Sequence, residues 1–216
     1  MRTTRVTAVA LAATAALTLT ACGSSSAPEK TGLEMTAPTQ RRASTVLDRP
    51  FPKPDLVLTD TTGKAFDLRE RTAGKPTLIY FGYTHCPDVC PLTMGNIAVA
   101  RAALSEAERN ELQVVFITTD PERDTPQSLG SWLKVQDPAF IGLTGDFKTI
   151  QAGARALGIA IEPPKKEKDG SIVSMHGAQV IAFSPKSDEG YVVYGEQATP
   201  EDYTEDLPKI IKGENP

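Results

Sequence analysis

The stretch from Thr77 to Pro91 limits the fold more than any other part of the chain. Thr77–Tyr83 is a near-continuous apolar, β-rich run, the pattern of a strand buried on both faces. It leads directly into Thr84-His85-Cys86-Pro87-Asp88-Val89-Cys90-Pro91. Met94, Ile97, Ala98, Arg101, Ala102 and Leu104 then recur at helical spacing, which predicts a helix from Leu92 to about Glu108 with Pro91 in its first turn. Cys86 and Cys90 therefore sit at a strand-to-helix turn, about one helical turn apart on one face. Unpaired N–H groups and the positive end of the helix dipole favour a thiolate there. A thiolate can attack a disulfide or hold a soft metal.

The chain around this stretch alternates element types. Leu56-Val57-Leu58, a Thr-Thr-Gly turn signal and Ala65–Leu68 read as a hairpin. Leu112–Thr118 reads as a second buried strand, and Thr125-Pro126 as the cap and first residue of a helix through Leu129, Trp132 and Leu133. A short strand at Phe140–Leu143 and a helix from Asp146 to Leu157, closed by Gly158, follow. Pro163–Gly170 is a lysine-rich segment expected to form a solvated hairpin tip. Strands are expected at Ala178–Phe183 and Tyr191–Tyr194, and a last helix opens at Thr199-Pro200, with Pro208 expected to kink or split it. This order describes an α/β sandwich of the thioredoxin kind, a mixed central sheet flanked by helices.

The N-terminus has a different character. Arg2 and Arg5 precede an Ala/Thr/Leu-rich run from Val6 to Leu19, and Leu19-Thr20-Ala21-Cys22 places small residues before a cysteine. Residues 1–21 read as a signal peptide. The motif resembles a bacterial lipobox, which implies lipidation of Cys22 and a protein held on the extracytoplasmic face of the cell membrane. Residues 22–53, rich in Ser, Pro and Thr, read as the lipidated N-terminus and a flexible linker, and residues 54–216 as the folded domain.

Of the three cysteines in the 216 residues, lipidation of Cys22 leaves only Cys86 and Cys90. A disulfide across so short a loop removes little chain entropy, so a structural staple explains the pair poorly. The formal charge of -4 and the lack of a basic block exclude nucleic acid as an expected partner. No Walker, zincin or nucleophile-elbow motif is present.

The chain has two histidines, His85 and His176. His85 adjoins Cys86, so its ring is expected to diverge from the sulfurs. His176 lies in the loop entering the strand Ala178–Phe183, which a thioredoxin-type sandwich brings beside the cysteines. Generic thioredoxins place a cis-proline there, whereas this chain has Ser174-Met175-His176-Gly177. Gly177 would allow close backbone approach. Two sulfurs and one imidazole suit either Cu(I) or Cu(II). Met94 and Met175 could add a thioether, although a helix-face Met is more often core. Asp120 and Asp124 are explained by capping and loop hydrogen bonds.

At this point the chain resembles the Sco/SenC family of copper-binding cytochrome c oxidase assembly factors. The resemblance is carried by Phe81–Pro91, by Asp120-Pro121-Glu122-Arg123-Asp124-Thr125-Pro126 and by Tyr194-Gly195-Glu196-Gln197. It implies Cys86, Cys90 and His176 as copper ligands. It also implies delivery of copper, or reduction of thiols, at the binuclear copper centre of oxidase subunit II or another acceptor. The family usually has an acidic residue just before the histidine; Met175 stands there, which leaves a fourth ligand open. The expected protein is a membrane-tethered metallochaperone needing a thiol reductant, rather than a turnover enzyme. The alternative is an extracytoplasmic thiol-disulfide oxidoreductase using the same pair of cysteines.

Overall fold

A computed structural model of the chain describes residues 43–216. The expected signal peptide and Cys22 lie outside these residues. In chain order the elements are β1 (Ser44–Pro52), β2 (Val57–Asp60), β3 (Ala65–Asp67), α1 (Leu68–Thr72), β4 (Thr77–Gly82), α2 (Val89–Ala103), α3 (Glu106–Glu111) and β5 (Gln113–Thr118). They continue with α4 (Pro126–Gln136), β6 (Ile141–Thr144), α5 (Phe147–Ala156), β7 (Lys165–Lys166), β8 (Ile172–Val173), β9 (Val180–Phe183), β10 (Glu189–Tyr194) and α6 (Pro200–Ile211).

Eight strands form one sheet in the order β1-β10-β9-β4-β5-β6-β2-β3. β4 runs parallel to β5, pairing Leu78 with Val114, and antiparallel to β9, pairing Tyr80 with Val180. The sheet is therefore mixed, as expected. Side-chain alternation sorts its residues into two cores. Leu78, Tyr80, Val114, Phe116, Val180 and Ala182 face Met94 and Ile97 of α2, Leu129 and Leu133 of α4, and Leu207 and Ile210 of α6. Ile79, Phe81, Val115, Ile117, Ile181 and Phe183 face Leu68 of α1 and Ile150 and Ala154 of α5. Both faces of β4 and β5 are covered, which is why these strands read as unbroken apolar runs. The result is a thioredoxin-like α/β sandwich.

Four expectations need correction. The stretch read as linker up to residue 53 ends earlier, because Ser44–Pro52 is edge strand β1, paired antiparallel with β10 from Ser44↔Tyr194 to Pro52↔Glu189. Its Asp48, Arg49 and Pro50 carry no apolar alternation. An edge strand tolerates such residues, and its ladder shifts register between Val46 and Phe51.

The helix expected to reach Glu108 stops at Ala103. Ser105 then opens α3 through a capping box with Glu108.

α6 runs unbroken from Pro200 to Ile211, so Pro208 does not split it. An interior proline costs about 3 kcal/mol. Burial of Leu207 and Ile210, both fully covered, contributes about 1.5–3 kcal/mol each and offsets it. Finally, the capping assigned to the Asp120–Asp124 region belongs to neither aspartate: Thr125 caps α4, its Oγ1 accepting from Ser128 N at 3.2 Å.

The lysine-rich segment is, as read, an exposed hairpin (β7–β8) turning at Gly170. Among the described residues, no helix is long and apolar enough to cross a membrane.

Candidate metal centre

β4 ends at Gly82, and a turn in which Cys86 N donates to Tyr83 O at 3.2 Å precedes α2. Asp88 caps that helix, its Oδ1 accepting from Val89 N at 2.7 Å. Cys86 therefore stands just before the helix and Cys90 within its first turn. Cys90 N donates to Cys86 Sγ at 3.4 Å, so a free N–H at the helix start points at the first sulfur. Tyr80, one strand position pair below the turn, donates its hydroxyl to Cys90 Sγ at 3.4 Å. Both thiols are free and buried.

Cys90 does not behave as the helix dipole alone would suggest. Burial pushes its thiol up to about 12, with the neighbouring Cys86 sulfur adding to the rise and the hydrogen bond from Tyr80 opposing it. Desolvation of the charged form outweighs a helix end here. Cys90 is a thiol until something replaces its proton. Tyr83, beside the same sulfurs, is also raised to about 12, chiefly by burial.

The third arm comes from the loop between β8 and β9. Gly177 N donates to Phe81 O at 3.0 Å, tying this loop to the end of β4. A Cβ on Gly177 would stand 3.0 Å from Ile159 Cγ2 and 3.5 Å from Phe81 O, so the close approach expected of this glycine is realised. His176 is half-buried, with its ring centroid 5.8 Å from that of Tyr83. Its Nδ1 lies 2.9 Å from Gly177 O. A carbonyl only accepts, so Nδ1 carries the hydrogen and Nε2 keeps its lone pair for a metal.

One ligand atom each from Cys86, Cys90 and His176 lies within 4.8 Å of the others, the one such group of His, Cys, Asp or Glu among the described residues. Metal–ligand bonds of about 2.0–2.3 Å bring ligands to roughly 3.5–4 Å from each other, so small side-chain adjustments would close the set on one ion. Two soft sulfurs and one imidazole form a donor set for copper in either oxidation state. Structural zinc normally takes four ligands.

The remaining candidates separate clearly. His85 is turned away: it is half-exposed, and its Nδ1 sits 3.1 Å from Thr84 Oγ1 and 3.7 Å from Asp124 Oδ1. Met94 is fully buried in the core. Met175 is exposed and shares with His176 the lining of a cavity of about 390 Å³ beside the β7–β8 hairpin. Sequence reasoning missed Tyr80, whose hydroxyl the strand pattern hides among apolar neighbours. It also missed Ser174, which is buried and hydrogen-bonded to Asp120 Oδ2 at 2.8 Å.

The sequence profile of the SCO1/SenC family matches residues 47–212. The SCO2-like protein of Rickettsia conorii is 40% identical over 97 residues, covering 45% of this chain and 46% of that protein. The mitochondrial protein SCO2 of Saccharomyces cerevisiae is 35% identical over 111 residues, covering 51% and 36%. The chain thus spans less than two thirds of the length of the curated relatives it matches. Bradyrhizobium japonicum ScoI, solved with copper bound, superposes with a TM-score of 0.63 at 33% identity, over 75% of this chain and 98% of that one. A profile match over most of the folded residues, with the cysteines and histidine of its site gathered in one place, settles the classification: the chain belongs to the SCO1/SenC family.

Proposed function

We propose that this protein is a membrane-tethered copper metallochaperone that supports assembly of the binuclear copper centre of cytochrome c oxidase. The observation that carries the reading is the convergence of Cys86, Cys90 and His176 within 4.8 Å. Copper would be held by the two sulfurs and by Nε2 of His176, and it would leave by exchange onto a thiolate-bearing acceptor such as oxidase subunit II. Oxidation of the pair to a disulfide releases two electrons and two protons and withdraws both sulfur donors. The site therefore depends on a thiol reductant that returns them. Lipidation of Cys22 after removal of residues 1–21 would hold the domain on the extracytoplasmic face of the membrane, and two acyl chains make such anchoring durable.

Titration of the reduced protein with copper tests the reading. The expected result is one copper per chain and a visible sulfur-to-Cu(II) charge-transfer band, both lost in Cys86→Ser and Cys90→Ser. No band, together with rapid metal-free turnover of disulfide substrates, would instead favour the thiol-disulfide oxidoreductase.

A further inference from the structure

The donor atoms come from the turn into α2 with its first helical residues and from the loop before β9, and one five-residue segment between β5 and α4 holds both. Asp124 is fully buried and reaches back to the thiol loop: Thr84 N donates to its Oδ2 at 3.0 Å and Thr84 Oγ1 to its Oδ1 at 2.5 Å, while Thr118 Oγ1 donates to Oδ2 at 2.6 Å. Asp120, also buried, reaches the opposite way. Its Oδ2 accepts from Ser174 Oγ at 2.8 Å and from Arg123 Nε. Arg123 Nη2 adds donations to Ser174 Oγ at 3.3 Å and Ile172 O at 3.4 Å.

Ser174 stands two residues before His176. A carboxylate taken out of water costs several kcal/mol unless it is paired and hydrogen-bonded. Helix capping does not account for these two buried carboxylates, since Thr125 supplies the cap. What they do have in common is a grip on the loops that carry the donor atoms.

We propose that Asp120 and Arg123, acting through Ser174, are positioning residues that set where the His176 ring stands relative to the Cys86 and Cys90 sulfurs. Asp124 fixes the thiol loop from the same backbone segment, so the spacing between sulfur and imidazole is built into one short stretch of chain. The inference rests on the copper reading for its consequence and on the hydrogen bonds above for its geometry. Imidazole matters more to Cu(II) than to Cu(I), for which the sulfurs suffice. Loosening the histidine loop should therefore weaken Cu(II) selectively.

Ser174→Ala in the full chain tests the clamp with the least disturbance, and Asp120→Asn tests it at the carboxylate. The expected result for Ser174→Ala is a loss of about 10–100-fold in Cu(II) affinity, the usual effect of removing a group that orients a ligand. Cu(I) affinity should change far less, the nitrogen coupling in the Cu(II) spin-resonance spectrum should weaken, and the thermal midpoint should fall by several degrees while the protein stays folded, Arg123 still pairing Asp120. Ser174→Thr, which keeps the hydroxyl, should restore Cu(II) binding. The metal-free protein gives a separate readout, the proton shift that Tyr83 imposes on the His176 ring, which Ser174→Ala should reduce. Unchanged Cu(II) affinity and an unchanged ring shift in both variants would overturn the proposal. If the parent protein takes up no copper, the copper reading fails, while the ring shift still decides whether the clamp exists.

Discussion

Tyr80 and Cys90 meet beneath the candidate metal centre, the phenol hydroxyl donating to the thiol sulfur at 3.4 Å with both side chains shut off from solvent. The two residues belong to different elements, β4 and α2, so the contact joins the central strand to the helix that presents the sulfurs. A hydrogen bond to a ligating sulfur withdraws electron density from it and tunes the metal it holds.

Tyr80→Phe should therefore keep one copper per chain but move the sulfur-to-Cu(II) band to lower energy, since the sulfur becomes a better electron donor. Visible absorption of the two loaded proteins checks this. An unmoved band would mean that the hydroxyl does not act on the bound sulfur.

Gly82→Ala should damage both fold and site. The new Cβ would stand 2.7 Å from Tyr80 Cε1 and 2.8 Å from Cys90 Sγ, and overpacking of this kind costs about 1–3 kcal/mol. Gly95→Ala is the control: it lies within α2, and its Cβ would come no closer than 3.6 Å to the end of the Gln136 side chain. That change should stabilise by about 0.5–1 kcal/mol. Denaturant midpoints and copper stoichiometry should move in opposite directions for stability and only in Gly82→Ala for metal.

Beginning the chain at residue 54, where the sequence alone puts the domain, should harm it relative to beginning at Ala43. The shorter form loses β1 and bares the edge of β10, inviting strand pairing between molecules. It also loses Lys53, whose Nζ is buried against Asp188 at 2.7 Å and Thr72 O at 2.9 Å. The loss of that ion pair and hydrogen bond should cost roughly 1–3 kcal/mol, Asp188 being partly solvated. Thermal melting and light scattering of the two forms decide the matter.

Alkaline pH should unfold the protein through its tyrosines. Tyr191 is raised from 10.0 to about 12, chiefly by burial and then by the carboxylates of Asp206 and Glu214. Tyr194 and Tyr203 are raised too, again chiefly by burial. A raised folded-state value stabilises below the unfolded one, and that stabilisation is lost as pH climbs through the folded value. Tyrosinate absorbance should stay low past pH 10 and then rise together with the loss of helical circular dichroism. A gradual titration centred at 10 with the fold intact would contradict this.

The buried strands and the cysteine turn were legible because their chemistry is local. Leu78 to Phe81 are apolar on both faces, and the two cysteines lie four residues apart on either side of a helix start. His176 could be reached through its scarcity and its place before β9, though only by assuming the sandwich. β1 was hidden because an edge strand needs no apolar rhythm, and its partner β10 is far along the chain. The thiolate expected at Cys90 was overturned by burial, a property of tertiary packing. Ser174 and Asp120 escaped notice for a similar reason, since 54 positions separate two polar side chains that meet only in the fold.

The main-chain bond from Gly177 N to Phe81 O makes the two sides of the histidine loop unequal in the length changes they can absorb. The β7–β8 hairpin lies outside that tether, so residues added at its tip would leave the imidazole where it is. A single residue inserted between Gly177 and Val180 has no slack to enter, because one end is pinned to β4 by this bond and the other by the Tyr80↔Val180 pairing. Divergence in loop length should therefore accumulate on the hairpin and stop abruptly at the glycine.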